Sequence, residues 1–360
     1  MFGKFLLLNL LSLIIGSDTP GEMPQAELLF VGDAMQHEGQ LTTARQIGNG
    51  KYDYKECFEL ITPEIMESDF AVCNLEVPLG GGPSYTGYPC FSAPDSYAEA
   101  LRDAGFNMML TANNHCLDKR DKAARRTLDV LDSLQVIHTG TFKNKEEREK
   151  LIPLVQDING FKVGFLNYTY GTNGISPQDG MEVALIDKEK IKKEIQKTKD
   201  AGAEIIIVCM HWGIEYVLTE NQVQRDLADF LVKEGVDLVI GGHPHVIQPM
   251  KVVRNEKDNK DVLVVYSLGN FISNMKTADT RGGALVRTTL KRDENGKAYF
   301  SNADYDIFFA AKPVGKSNFM VIPSWMESKV PTGQQAHWKL FERGAKKIFD
   351  QYNVKVPQKH

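Results

Sequence analysis

Seven side chains able to bind a metal or move a proton sit at the ends of apolar runs in this sequence: Asp33, Glu76, Asn114, His115, His211, His243 and His245. The densest group is Gly241-Gly242-His243-Pro244-His245, directly after the apolar run 236–240. Glycines let the chain turn sharply there, and Pro244 stiffens the gap, so two imidazoles sit on one rigid turn. Neutral imidazole binds borderline transition ions. Two carboxylates, one able to bridge, an amide oxygen and three imidazoles suit two divalent ions (manganese, zinc or iron), held ~3.5–4 Å apart in two-metal hydrolases. Structural zinc would favour cysteines and a closed shell, whereas oxygen and nitrogen ligands with spare positions fit catalysis. Taken singly, each residue has a plainer role. Asp33 can be a turn residue after Gly32, Glu76 an exposed strand-end charge, Asn114 a loop cap and His211 a surface residue beside Trp212. Their recurrence at successive strand ends is what points to a metal site.

The elements that must position them alternate in type. Strands are expected over 26–31, 70–73, 106–110, 161–166, 204–210, 236–240 and 262–266, with helical periodicity over 119–134, 188–199 and 220–233. This alternation predicts a layered α/β fold with much parallel sheet, and near-continuous apolar strands fit sheets covered on both faces. In such sheets ligands bind beyond the carboxyl ends of the strands, where the polar residues fall. Residues 281–309 read as added strands around a turn at Asp293-Glu294-Asn295-Gly296, and 334–351 as a final amphipathic helix. The expected division is 1–20 a leader, 26–275 the main domain and 276–360 a C-terminal part completing or extending it.

Composition narrows the setting. The chain has 360 residues, 42% of them hydrophobic, and a formal net charge of -5. With no basic run or arginine-rich arm, nucleic acid is not expected as a partner. Lys4 precedes an apolar run over 5–15, too short to span a bilayer and placed like a secretory signal. Cleaved signal or uncleaved anchor, either reading exports the body to the periplasm, the cell exterior or the outer side of the cytoplasmic membrane. The five cysteines are an odd number without paired metal or redox spacing, and Cys73 and Cys209 read as buried small hydrophobes.

In order along the chain come Gly32-Asp33, Asn74-Leu75-Glu76, residues 112–118, 168–174 and 211–216, Gly242-His243-Pro244-His245, and residues 266–271. This series resembles the CapA family of poly-γ-glutamate capsule synthesis proteins, a branch of the calcineurin-like metallophosphoesterase superfamily. The resemblance implies a four-layer sandwich, two mixed β-sheets flanked by helices, with two metals at the strand ends. It gives Asp33 and His245 to the first metal, Asn114, His211 and His243 to the second, and Glu76 to the bridge. His115 matches the general acid that protonates the leaving group. One departure stands out: the superfamily begins with Asp-x-His, and here Asp33-Ala34-Met35 lacks the histidine; His37 is off register for it. Asn74, Tyr170, Asn173, Trp212, Glu215, Tyr216 and Asn270 are expected around the substrate pocket. Two functions follow as expectations. One is a metal-dependent hydrolase of an anionic polymer or phosphoester outside the cytoplasm, working with envelope biosynthesis machinery. The other is a non-catalytic, metal-stabilised accessory in synthesis, export or anchoring of an anionic capsule polymer.

Overall fold

Along the central strands alternate residues face different layers, and in the computed structural model this period-2 pattern builds the protein. The structure describes residues 24–360, so the expected leader lies outside the described residues. In chain order come β1 (Ala26–Ala34), α1 (Glu38–Ile47), α2 (Lys55–Phe58), α3 (Thr62–Glu67), β2 (Phe70–Leu75), α4 (Asp95–Asp103), β3 (Met108–Leu110) and α5 (Arg120–Ser133). Next are β4 (Ile137–Thr139), β5 (Thr141–Phe142), α6 (Lys145–Leu151), β6 (Leu154–Ile158), β7 (Phe161–Thr169), β8 (Glu182–Val183), α7 (Lys188–Asp200), β9 (Ile205–His211), α8 (Gln222–Lys233) and β10 (Leu238–Gly242). The chain closes with β11 (Met250–Asn255), β12 (Lys260–Val265), β13 (Asn270–Ile272), β14 (Gly282–Arg292), β15 (Ala298–Ala311), β16 (Met320–Pro323) and α9 (Gln335–Tyr352).

Two mixed sheets result. The first runs β16-β15-β14-β1-β2-β3-β4, with β13 also on β1; the second runs β11-β12-β10-β9-β7-β6. In the first, β1 to β4 are parallel and β14 to β16 antiparallel. In the second, β7, β9, β10 and β12 are parallel and the two edge strands antiparallel. Leu28, Phe30, Phe165, Ile207, Ile240 and Val265 meet between the sheets. Their neighbours point the other way: Leu29 and Val31 pack under the helices of the first sheet, and Val208, Val239 and Val264 under those of the second. The four-layer α/β architecture is therefore the one the resemblance implies.

The expected central strands are present within a residue or two. The helix expected from 220 starts at Gln222, because Asn221 caps it: its side chain accepts the Gln224 N–H at 2.9 Å and Gln224 answers the Asn221 N–H at 3.0 Å. Residues 276–360 are integral to the first sheet, with β14 pairing along β1 from Ala26 to Phe30. All five cysteines are unpaired, with Cys73 and Cys209 in the core.

Candidate metal centre

Parallel strands bring their carboxyl ends to one edge, and the candidate ligands stand there. Asp33 is in β1, Asn74 in β2 with Glu76 just beyond, Asn113, Asn114 and His115 follow β3, His211 ends β9, and His243 and His245 follow β10. Close approach at two glycines packs the strand ends around Asp33. A Cβ on Gly32 would lie 1.9 Å from the Gly269 carbonyl oxygen, and one on Gly242 would lie 2.7 Å from Asp33 Oδ1. Glycine is required at both. His243 and His245 take positive φ values of 97° and 58°, the backbone strain that functional turns tolerate.

The candidate ligands form one buried cluster. His245 Nδ1 lies 3.3 Å from Asp33 Oδ2, and its Nε2 lies 3.8 Å from Glu76 Oε1. His211 Nε2 lies 2.8 Å from Asn114 Oδ1 and 3.5 Å from Glu76 Oε1. The His243 main-chain N–H donates to Asp33 Oδ2 at 3.1 Å. Two groups hold ligand atoms within 4.8 Å of one another: Glu76, His243 and His245, and Asp33, Glu76 and His211. Glu76 is common to both, as a bridging carboxylate must be. The two groups cut across the partition the resemblance implies, since one joins His243 to His245 and the other Asp33 to His211.

Burial and neighbouring charges shift the titration of the cluster's members in opposite directions. Burial pushes His211 down to about 3 and His243 down to about 2, leaving both imidazoles neutral with lone pairs to offer. Burial and the Asp33 charge raise Glu76 well above the carboxylate range. Burial also works against the charged forms of Asp33 and His245, but their mutual hydrogen bond and attraction win: Asp33 falls below its ordinary value, and Glu76 and Asp33 lift His245 to about 9. Glu76 Oε1 and His243 Nδ1 are sealed from water without a hydrogen-bond partner. An unpaired buried polar atom is costly. A cation between them would satisfy both, so the donor set fits divalent metal.

The family model for the bacterial capsule synthesis protein PGA_cap matches residues 27–275. The chain belongs to this family. Among PGA_cap relatives, the capsule biosynthesis protein CapA of Bacillus anthracis is 28% identical over 287 residues, 77% of this chain and 66% of that protein. The PGA biosynthesis protein CapA of Bacillus subtilis is 28% identical over 295 residues, 80% of this chain and 74% of that one. Among solved structures, NAD nucleotidase of Haemophilus influenzae superposes with a TM-score of 0.50 at 11% identity, covering 92% of this chain and 68% of that one, a likeness of fold.

In this PGA_cap member the expected pocket residues divide. Tyr170 lies with its ring centroid 4.6 Å from that of His243 and is 49% exposed, so it stands at the mouth. Tyr216 is 6.3 Å from His245 and exposed, and Glu215 beside it is half-buried. Asn173 is exposed and its Oδ1 accepts the Asn114 Nδ2–H at 3.3 Å. Asn74 and Asn270 are buried supports: Asn74 Nδ2 donates to Asp33 Oδ1 at 2.8 Å, and Asn270 Oδ1 lies 3.0 Å from His245 Nδ1. Trp212 is a correction. It is 1% exposed, packs under the helices of the second sheet and donates its indole N–H to the Tyr266 carbonyl at 2.8 Å. Strand alternation explains this: His211 faces the cluster, so the next side chain faces away.

Two further residues position His115: Asn113, one of the polar residues expected just after a strand, and Asp118, whose role the sequence reading did not assign. Asp118 Oδ2 lies 2.8 Å from His115 Nδ1 and accepts the Phe91 N–H at 2.7 Å, which fixes the imidazole's orientation. Asn113 Nδ2 donates to the Leu75 carbonyl at 2.9 Å, and its Oδ1 accepts the His115 N–H at 3.2 Å. Their i+3 and i−2 spacing around His115 was the available signal. Met35, at the position of the missing histidine, packs beneath the helices of the first sheet. His37 caps α1 and its Nδ1 accepts the Asn274 N–H at 3.3 Å.

Proposed function

We propose that this PGA_cap protein is a divalent-metal-dependent hydrolase acting outside the cytoplasm on an anionic capsule polymer or a phosphoester of its synthesis. The observation that carries this reading is the pair of orphaned buried atoms, Glu76 Oε1 and His243 Nδ1, amid four further candidate ligands. Asp33, Glu76, Asn114, His211, His243 and His245 would hold the metals, manganese, zinc or iron. Bound divalent metal would lower the pKa of water and neutralise charge developing on the substrate. The chain's own residues prepare the rest. Asp118 holds Nδ1 of His115, which leaves Nε2 to deliver a proton to a leaving group. Tyr170 and Tyr216 wall the mouth, and Asn74 fixes Asp33 in place.

The accessory reading has one observation in its favour: Met35 replaces a ligand of the superfamily motif and points into the core. Turnover separates the two. Purified protein loaded with manganese or zinc is assayed on an aryl phosphodiester and on γ-linked glutamate oligomers. Turnover abolished by His115→Ala supports the hydrolase; metal bound with neither substrate turned over supports the accessory.

A further inference from the structure

Lys276, Arg281 and Lys312 are cations that the candidate metal centre does not use, and among the described residues no carboxylate pairs with them. All three lie beyond residue 275, where the family match ends. Arg281 directly precedes β14 and is 5% exposed. Its guanidinium sits 4.7 Å over the Phe309 ring and donates to Gln334 Oε1 at 2.6 Å. The same oxygen accepts the Lys312 main-chain N–H at 2.8 Å, so one amide ties the guanidinium to the backbone just past β15. Lys276 is exposed and Lys312 half-buried. Asp279, the nearest acid in sequence, lies against Gly344 of α9 instead.

A buried cation without a counter-charge is costly unless something outside the chain answers it. Gln334 joins Arg281 to the backbone at Lys312, and one tight turn, closed by the Thr280 N–H on the Thr277 carbonyl at 3.2 Å and the Arg281 N–H on the Ala278 carbonyl at 3.2 Å, separates Lys276 from Arg281. Burial lowers Arg281, and burial with repulsion from Arg281 and Lys276 lowers Lys312, in keeping with one shared patch. The patch adjoins the candidate metal centre. Asn270, whose Oδ1 meets His245, donates its Nδ2 to the carbonyl of Thr280 at 3.0 Å, one residue before Arg281.

We propose that Lys276, Arg281 and Lys312 form an oxyanion subsite that holds a carboxylate or phosphate of a polyanionic chain while another unit of that chain lies at the metal ligands. Because this rests on reading the neighbouring centre as acting on an anionic polymer, the test measures binding, apart from turnover. A labelled γ-linked glutamate oligomer is titrated into the full chain by fluorescence anisotropy at low and high salt, with polyphosphate as competitor. The expected result is salt-sensitive binding that Lys276→Ala/Lys312→Ala weakens about tenfold, with a shallower salt dependence and an unchanged Tm. Arg281→Lys, which keeps charge but loses the guanidinium fork, weakens it less than Arg281→Gln. Displacement by polyphosphate would mark a general oxyanion site, and resistance to it a carboxylate preference; each upholds the subsite. Salt-sensitive oligomer binding without turnover of the aryl ester would fail the hydrolase reading and keep the subsite. Unchanged affinity in the double variant, or equal affinity for an uncharged glutamine oligomer, would overturn it.

Discussion

His243 and Glu76 carry the strain of the centre, one in its backbone and one in its charge. At a φ of 97°, any side chain with a Cβ is disfavoured and glycine is not. His243→Gly should therefore leave the metal-free protein more stable than His243→Ala by about 1 kcal/mol, read from denaturant midpoints; equal stability would mean that the turn is unstrained. Glu76 is a fully buried carboxyl beside Asp33. Glu76→Gln removes its charge at nearly constant shape, so the metal-free Tm should hold or rise while the Tm gain on adding manganese is lost, measured by thermal scans. A falling metal-free Tm would show that Glu76 serves the fold. At this scale the clustering was legible: the candidate ligands stand at the ends of apolar runs, which the parallel strands bring to one edge. Trp212 misled because a strand end shows its residues in sequence without showing which face each takes.

The strands explain why those residues converge. Gly32 allows β1 to pass against Gly269 at a separation no side chain tolerates. Gly32→Ala should push β1 away from β13, destabilise the protein by several kcal/mol, on the order of a severe overpacking, and abolish metal-induced stabilisation. A mild change in midpoint with normal metal response would contradict this account of the close approach. The buried central strands could be read from their apolar runs, being covered on both faces. Short edge elements such as β4, β13 and β16 could not, because tertiary pairing holds them and their few residues carry no period. The helices α2 and α3 went unread for a related reason: they are only 4 and 6 residues long, and packing on the first sheet sustains them.

Across the whole molecule, the family match stops at 275, yet the first sheet does not. β14 pairs directly with β1, while Trp338, Phe341 and Phe349 of α9 fill the core shared by the two sheets. Removing residues 276–360 should therefore leave β1 as an exposed edge and yield a chain without a cooperative unfolding transition in circular dichroism; a sharp transition would show that the matched region folds alone. The α/β class and the four layers were legible from strand and helix alternation together with the resemblance. The added strands over 281–309 were legible too, and what was not is their partner: the pairing of β14 on β1, antiparallel over a long sequence separation, leaves no local mark. The central claim is that the buried donors converge to bind two divalent ions about one shared carboxylate. Anomalous diffraction from crystals of the manganese-loaded protein tests it most directly. The account predicts two peaks ~3.5–4 Å apart, both in contact with Glu76, one also with Asp33 and His245 and the other with Asn114 and His211. A single peak that leaves Glu76 unligated, or no peak at these residues, would contradict it.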